Sequence, residues 1–141
     1  MEDIITTIDK QHVEKGVLDW KKRVSELYST INSWLADSEF SLRYGSKLPM
    51  YEGLMWQFNV QATEIDTVAI YSGKTFVLVI KPKGLWVIGV NGLIEILTTK
   101  GNYLLKDCAE QFAPPQWKLF YGLKNKEVDF NKEIFFQILM K

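Results

Sequence analysis

Few side chains in this chain can carry chemistry. There is one histidine, His12, and one cysteine, Cys108. A nucleophile needs a positioned base beside it, and no second histidine exists to serve Cys108. Its neighbour Asp107 would raise the thiol's pKa rather than activate it. Cys108 therefore reads as a small, partly buried residue and His12 as a surface one. The usual His/Cys sets for zinc are ruled out by count, which leaves only carboxylate-bound Mg²⁺ in principle. The sequence has no GxxxxGK[ST], GxGxxG or GxSxG motif. The SGKT run at 72–75 falls in a turn between strands, not between a strand and a helix. The expectation is no catalytic centre, no metal and no cofactor.

One stretch carries a more specific pattern. TEIDTVAIYSGKTFVLVIKPK, residues 63–83, resembles the central hairpin of the PD-(D/E)xK nucleases. In that family an acid opens one strand and a Glu/Asp-x-Lys triplet closes the next. The resemblance places Asp66 and Lys81 at the first acid and the lysine, with Glu64 as an additional acid. It breaks at the triplet, Val79-Ile80-Lys81, where valine replaces the carboxylate that helps hold the water-activating metal. Another hairpin follows, where the family has a helix. The implication is a degenerate relative of that nuclease fold rather than an active enzyme.

Surface residues are the other candidates. Aromatics make up 13% of the chain, with five tryptophans. Trp20, Trp34, Trp86 and Trp117, with Lys81 and Lys83 of the KPKG knob, are the candidate interaction residues. Trp86, Tyr103, Trp117 and Tyr121 fall on expected strands, where aromatics either fill a core or stack nucleic-acid bases. Basic and acidic residues balance at 17 each. Residues 1–72 hold 7 basic and 11 acidic side chains, against 10 and 6 in residues 73–141. Only Arg23 and Arg43 are arginines. Phosphate and base-edge recognition favours the guanidinium fork, so the lysines read first as solvated surface.

The elements that must position these residues follow from periodicity. Val13, Val17, Trp20, Val24, Leu27, Ile31 and Trp34 recur at spacings of 4 and 3, an apolar seam along one helix. The helix ends near Leu35 or Ala36, and its firm part is expected after Gly16. That seam packs on the protein's own sheet or on a second helix. Residues 37–49 read as an irregular connection. Leu54, Trp56, Phe58 and Val60 alternate as in a strand. A short helix over 50–59 is the rival, since Met50, Leu54 and Phe58 lie four apart.

A meander follows, with strands over 66–71, 75–81, 85–90, 93–99, 103–107 and 116–121. Tight turns join them, at Ser72–Lys74, at Pro82–Gly84, at Asn91-Gly92 in the type I′ manner, and at Lys100–Asn102. Such connections imply an antiparallel sheet. Strands such as TFVLVI, residues 75–80, are apolar on both faces and call for cover on both. Residues 122–129 read as a polar loop. A final helix over about 131–140 has Asp129 as its expected N-cap, with Phe130, Ile134, Phe135 and Ile138 inward.

At 141 residues the expectation is a single domain over 1–141. The fold class is α+β: a long N-terminal helix packed on an antiparallel β-meander of about five to seven strands, with a short C-terminal helix. In outline this resembles the cystatin-like and NTF2-like arrangements, an architectural likeness without functional content. No apolar run reaches membrane-span length. The N-terminus MEDIITTIDK lacks the apolar core of a secretory signal. One cysteine suits a reducing compartment, so a cytoplasmic location is expected. The function expected is a non-enzymatic protein-interaction module, such as a small accessory subunit, adaptor or immunity-type inhibitor. Its partner would be another protein or a second copy of itself. Nucleic-acid binding through the lysine-bearing C-terminal half is the alternative.

Overall fold

A computed structural model describes residues 9–84, 92–110, 112–121 and 126–141. Helix α1 spans Lys10–Leu35. Strands β1 (Phe40–Met50), β2 (Thr63–Ser72), β3 (Thr75–Gly84), β4 (Leu93–Thr98), β5 (Gly101–Asp107), β6 (Trp117–Tyr121) and β7 (Lys126–Asp129) follow in turn. The short helix α2 (Gly53–Gln57) lies between β1 and β2, and α3 (Lys132–Leu139) closes the chain. The seven strands form one sheet in sequence order, every neighbouring pair antiparallel. The α+β architecture expected from the sequence is the one observed.

The α1 seam is buried from Val13 to Ile31, with Trp34 half-buried at its end. Asp9 caps the helix, its Oδ1 accepting from the His12 N–H at 2.8 Å. The helix therefore starts at Lys10 and runs through Gly16. Opposite it lie Val68, Ile70, Leu78, Ile80, Ile94, Ile96, Leu105 and Leu119, the inward residues of five successive strands. Trp20 meets Trp117 on β6, and Tyr28, two turns later, meets Tyr44 on β1. In a flat sheet those strands would stand roughly 24 Å apart at about 4.8 Å per strand. The sheet therefore curls about the helix. Register breaks at Tyr44/Lys47, Ile70/Tyr71 and Pro82/Gly84 supply the extra twist that curling needs.

Five sequence expectations are corrected. Residues 37–49 are not an irregular connection, because most of them form β1. Residues 122–129 are not wholly loop, because Lys126–Asp129 form β7. Both are edge strands, and edges carry charges and polar residues instead of apolar alternation. Over residues 54–60 the helical rival prevails: Met55 of α2 is buried, Trp56 is exposed, and Asn59 ends the helix at φ 57°. Pro82-Lys83-Gly84 is no turn but the end of β3, where Pro82 sits beside a register break, a place that tolerates proline. Asp129 lies in β7, and Asn131 caps α3 instead, its Oδ1 accepting from Ile134 N–H at 2.9 Å.

The expected strand over 85–90 and the residue Asn91 lie outside the described residues. Gly92 is described, at φ +155°, and a Cβ there would fall inside the Trp20 indole. Among the described residues, cover is seen on the inner face, and the outward residues Val79, Leu97 and Leu104 are partly exposed. Among the described residues, no helix is long and apolar enough to cross a membrane.

Candidate functional site

The candidate residues separate into those the fold gathers and those it disperses. Glu64 is exposed. Asp66 pairs with Lys47 on the edge strand, Oδ1 to Nζ at 3.1 Å. Lys81 stands in register with Glu95 on β4. Val79 faces Ala69 across the β2–β3 ladder, so no acid occupies the triplet position. Among the described residues no three His, Cys, Asp or Glu side chains converge to hold a metal ion. Lys83 pairs with Glu95 at 3.5 Å. Lys118 lies between Glu127 and Asp129 at 2.9 and 3.8 Å, and the Glu127 hydrogen bond raises its pKa. Acids are thus interleaved with the lysines of β3–β7. Trp86 lies outside the described residues.

Cys108 is half-buried, its thiol directed to the Lys106 carbonyl at 3.8 Å. Burial, with the charges of Glu127 and Asp107, raises its pKa, the direction opposite to nucleophile activation. The His12 ring lies edge-on to Phe112 at 6.2 Å.

The tryptophans behave differently. Trp20 is 1% exposed and belongs to the core. Trp34 and Trp117 are half-buried and line the same open groove, about 250 Å³ in volume, with Leu27, Pro115 and Phe130 as its other apolar walls. The β7–α3 connection makes this possible. Phe130 N–H donates to the Trp117 carbonyl at 3.0 Å, which fixes the entry to α3 beside β6. The Phe130 ring then lies 5.5 Å from Trp34 and 5.7 Å from buried Phe135, in tilted and edge-on arrangements that suit aromatic quadrupoles. Trp117 leans on Trp20 from behind at 6.1 Å.

Polar residues close one end of the groove: Arg23, Glu26 and Thr30. Arg23 is 3% exposed and Asp107 is fully buried. The Arg23 Nη1 meets Asp107 Oδ2 at 2.5 Å, its Nε meets Asp19 Oδ2 at 2.7 Å, and its Nη2 donates to the Ala113 carbonyl. Asp107 Oδ1 accepts from the Ala109 and Gln116 N–H groups at 3.1 and 3.0 Å. Burial alone would lower the Arg23 pKa, but its hydrogen bond to Asp19 and the charges of Asp107 and Asp19 outweigh that and raise it. This cluster ties α1 to the end of β5 and to the loop that delivers Pro115. In the sequence Arg23 stands out only as one of two arginines, and Asp107 only as the neighbour of Cys108. The available signal was spacing: Arg23 stands three residues after Trp20 and four before Leu27, in phase with the apolar face.

The groove is smaller than ordinary small-molecule pockets of about 300–1,000 Å³. Its size suits one inserted side chain more than a cofactor. No family model, no curated protein and no solved structure matches this chain.

Proposed function

We propose that this protein is a non-enzymatic interaction module, an accessory subunit, adaptor or immunity-type inhibitor that holds a partner protein at the groove between α1 and the β6–α3 region. One observation carries the reading. Trp34 and Trp117, 83 positions apart in the chain, share an open groove whose polar end is braced by a buried ion pair. Half-buried tryptophans in a concave setting are among the side chains that dominate binding energy at protein interfaces. A second copy of this chain is the other partner consistent with the reading. The lone, half-buried thiol fits a cytoplasmic setting.

The test is capture of tagged protein from its native cells, comparing wild type with Trp34→Ala and Thr30→Arg. Thr30 is exposed on the groove wall, so its replacement fills the groove without disturbing the core. A stoichiometric protein retained by wild type and lost from both variants supports the reading. A partner held equally by all three removes the groove from it. Nucleic acid in the eluate without a protein would favour the lysine-bearing half instead. A monomer that retains nothing would count against any interaction module.

A further inference from the structure

We propose that the groove accepts a cationic side chain, arginine or lysine, presented by the partner protein. The inference rests on the interaction reading above and specifies the chemistry of its anchor. Three observations carry it.

The first is the wall. Trp34, Trp117 and Phe130 offer aromatic surfaces, and indole faces attract cations through their quadrupole more strongly than other rings do. The long methylene stem of arginine or lysine covers apolar surface while its head stays polar.

The second is charge. Arg23 alone would repel a cation, yet its guanidinium is already engaged by Asp19, Asp107 and the Ala113 carbonyl. Its two carboxylate partners leave that cluster with one excess negative charge. Glu26 on the rim has a side chain 57% exposed, paired only loosely with Lys22 at 3.8 Å. Such exposed pairs are weak, so Glu26 can exchange Lys22 for an incoming cation. Phosphate or an acidic peptide would meet the opposite balance.

The third is geometry. Glu26, Thr30 and Trp34 stand one turn apart on a single row of α1. A long side chain laid along that row from Trp34 points past exposed Thr30 toward Glu26.

The experiment uses two short probes on the intact protein: acetyl-Gly-Arg-Gly-amide and the same peptide with citrulline, which keeps the shape and hydrogen-bonding surface but not the charge. The readout is the indole N–H resonances, with Trp34 and Trp117 assigned through Trp34→Phe and Trp117→Phe. The expected result is saturable shifts of those two resonances with the arginine peptide. The citrulline peptide should bind about tenfold more weakly, the scale of a partly desolvated cation–aromatic contact. Glu26→Gln, an exposed change that spares the fold, should weaken arginine binding about threefold, as expected for a partly solvated charge pair. Equal binding of both peptides would overturn the cation claim and leave the groove as an apolar docking site. Loss of shifts from both peptides would overturn the inference, and cell capture with Thr30→Arg would then decide the interaction reading separately.

Discussion

Replacing Arg23 with methionine tests the load carried by the polar cluster behind the groove. Methionine preserves much of the stem packing and removes the charge. Asp107, fully buried, would keep its contacts from the Ala109 and Gln116 N–H groups but lose its counter-ion. Breaking a buried pair from one side costs about 3–5 kcal/mol, because a charge is left uncompensated. That is a large fraction of the roughly 5–15 kcal/mol total of a typical domain. At this chain length it corresponds to a fall in Tm of roughly 10 °C or more.

The double variant Arg23→Met/Asp107→Leu buries no charge and should recover part of the loss. Recovery is incomplete, because the Ala109 and Gln116 N–H groups both lose the Asp107 carboxylate, which costs about 1–3 kcal/mol. The double variant should therefore be about 2 kcal/mol more stable than Arg23→Met alone, with a clear coupling energy between the sites. Urea unfolding followed by tryptophan fluorescence measures each value, since Trp20 and Trp117 lie beside the cluster. A cost below about 1 kcal/mol for Arg23→Met, or strictly additive single variants, would refute the reasoning.

Three further outcomes are expected. Burial, reinforced by the Asp66 charge, pushes the Tyr28 hydroxyl well above its ordinary 10.0, and it donates to the Asp66 carbonyl at 2.7 Å. The unfolded chain releases this proton first, so stability present below pH 10 should decline above it; Tyr28→Phe should flatten that alkaline limb in urea titrations at stepped pH. Gly92→Ala places a methyl inside the Trp20 indole at a φ of +155°. Overpacking of this kind costs about 1–3 kcal/mol, and thermal melts showing no change would contradict the observed approach. Asp66→Ala breaks only the exposed pair with Lys47, whose side chains are 42% and 60% exposed. It should change stability by less than about 1 kcal/mol and leave arginine-peptide binding untouched; a metal-dependent cleavage activity abolished by it would revive the nuclease resemblance.

Much of the fold was legible because burial and periodicity coincide. The 4-and-3 spacing from Val13 to Trp34 marks α1, and β3, β4 and β5 announce themselves as short apolar runs flanked by glycine-bearing turns such as those at Gly73 and Gly101. The edges were not legible. β1 and β7 pair on one side only, so their sequences obey solubility more than packing, and SLRYGSK or KEVD reads as loop. Over 53–57 the local pattern supports two periods, and the contacts of Met55 decide between them. The site divides in the same way. Trp34 and Trp117 stand out by residue type, but nothing in the sequence says that they meet or that Trp20 lies behind them.

The sequence by itself determined the class of fold, the paucity of catalytic side chains and the direction of the α1 seam. These are properties of composition and of spacings within a few turns or strands, and short-range geometry translates them directly. The tertiary structure alone decided which aromatics are core and which line a groove. It also decided that Arg23 reaches Asp107, 84 positions away, and that Asp66 pairs with Lys47 on the edge strand. Those outcomes depend on sheet curvature and on the register of strands far apart in the chain. Register is set by the summed packing of the whole core, a quantity that no local stretch of residues contains.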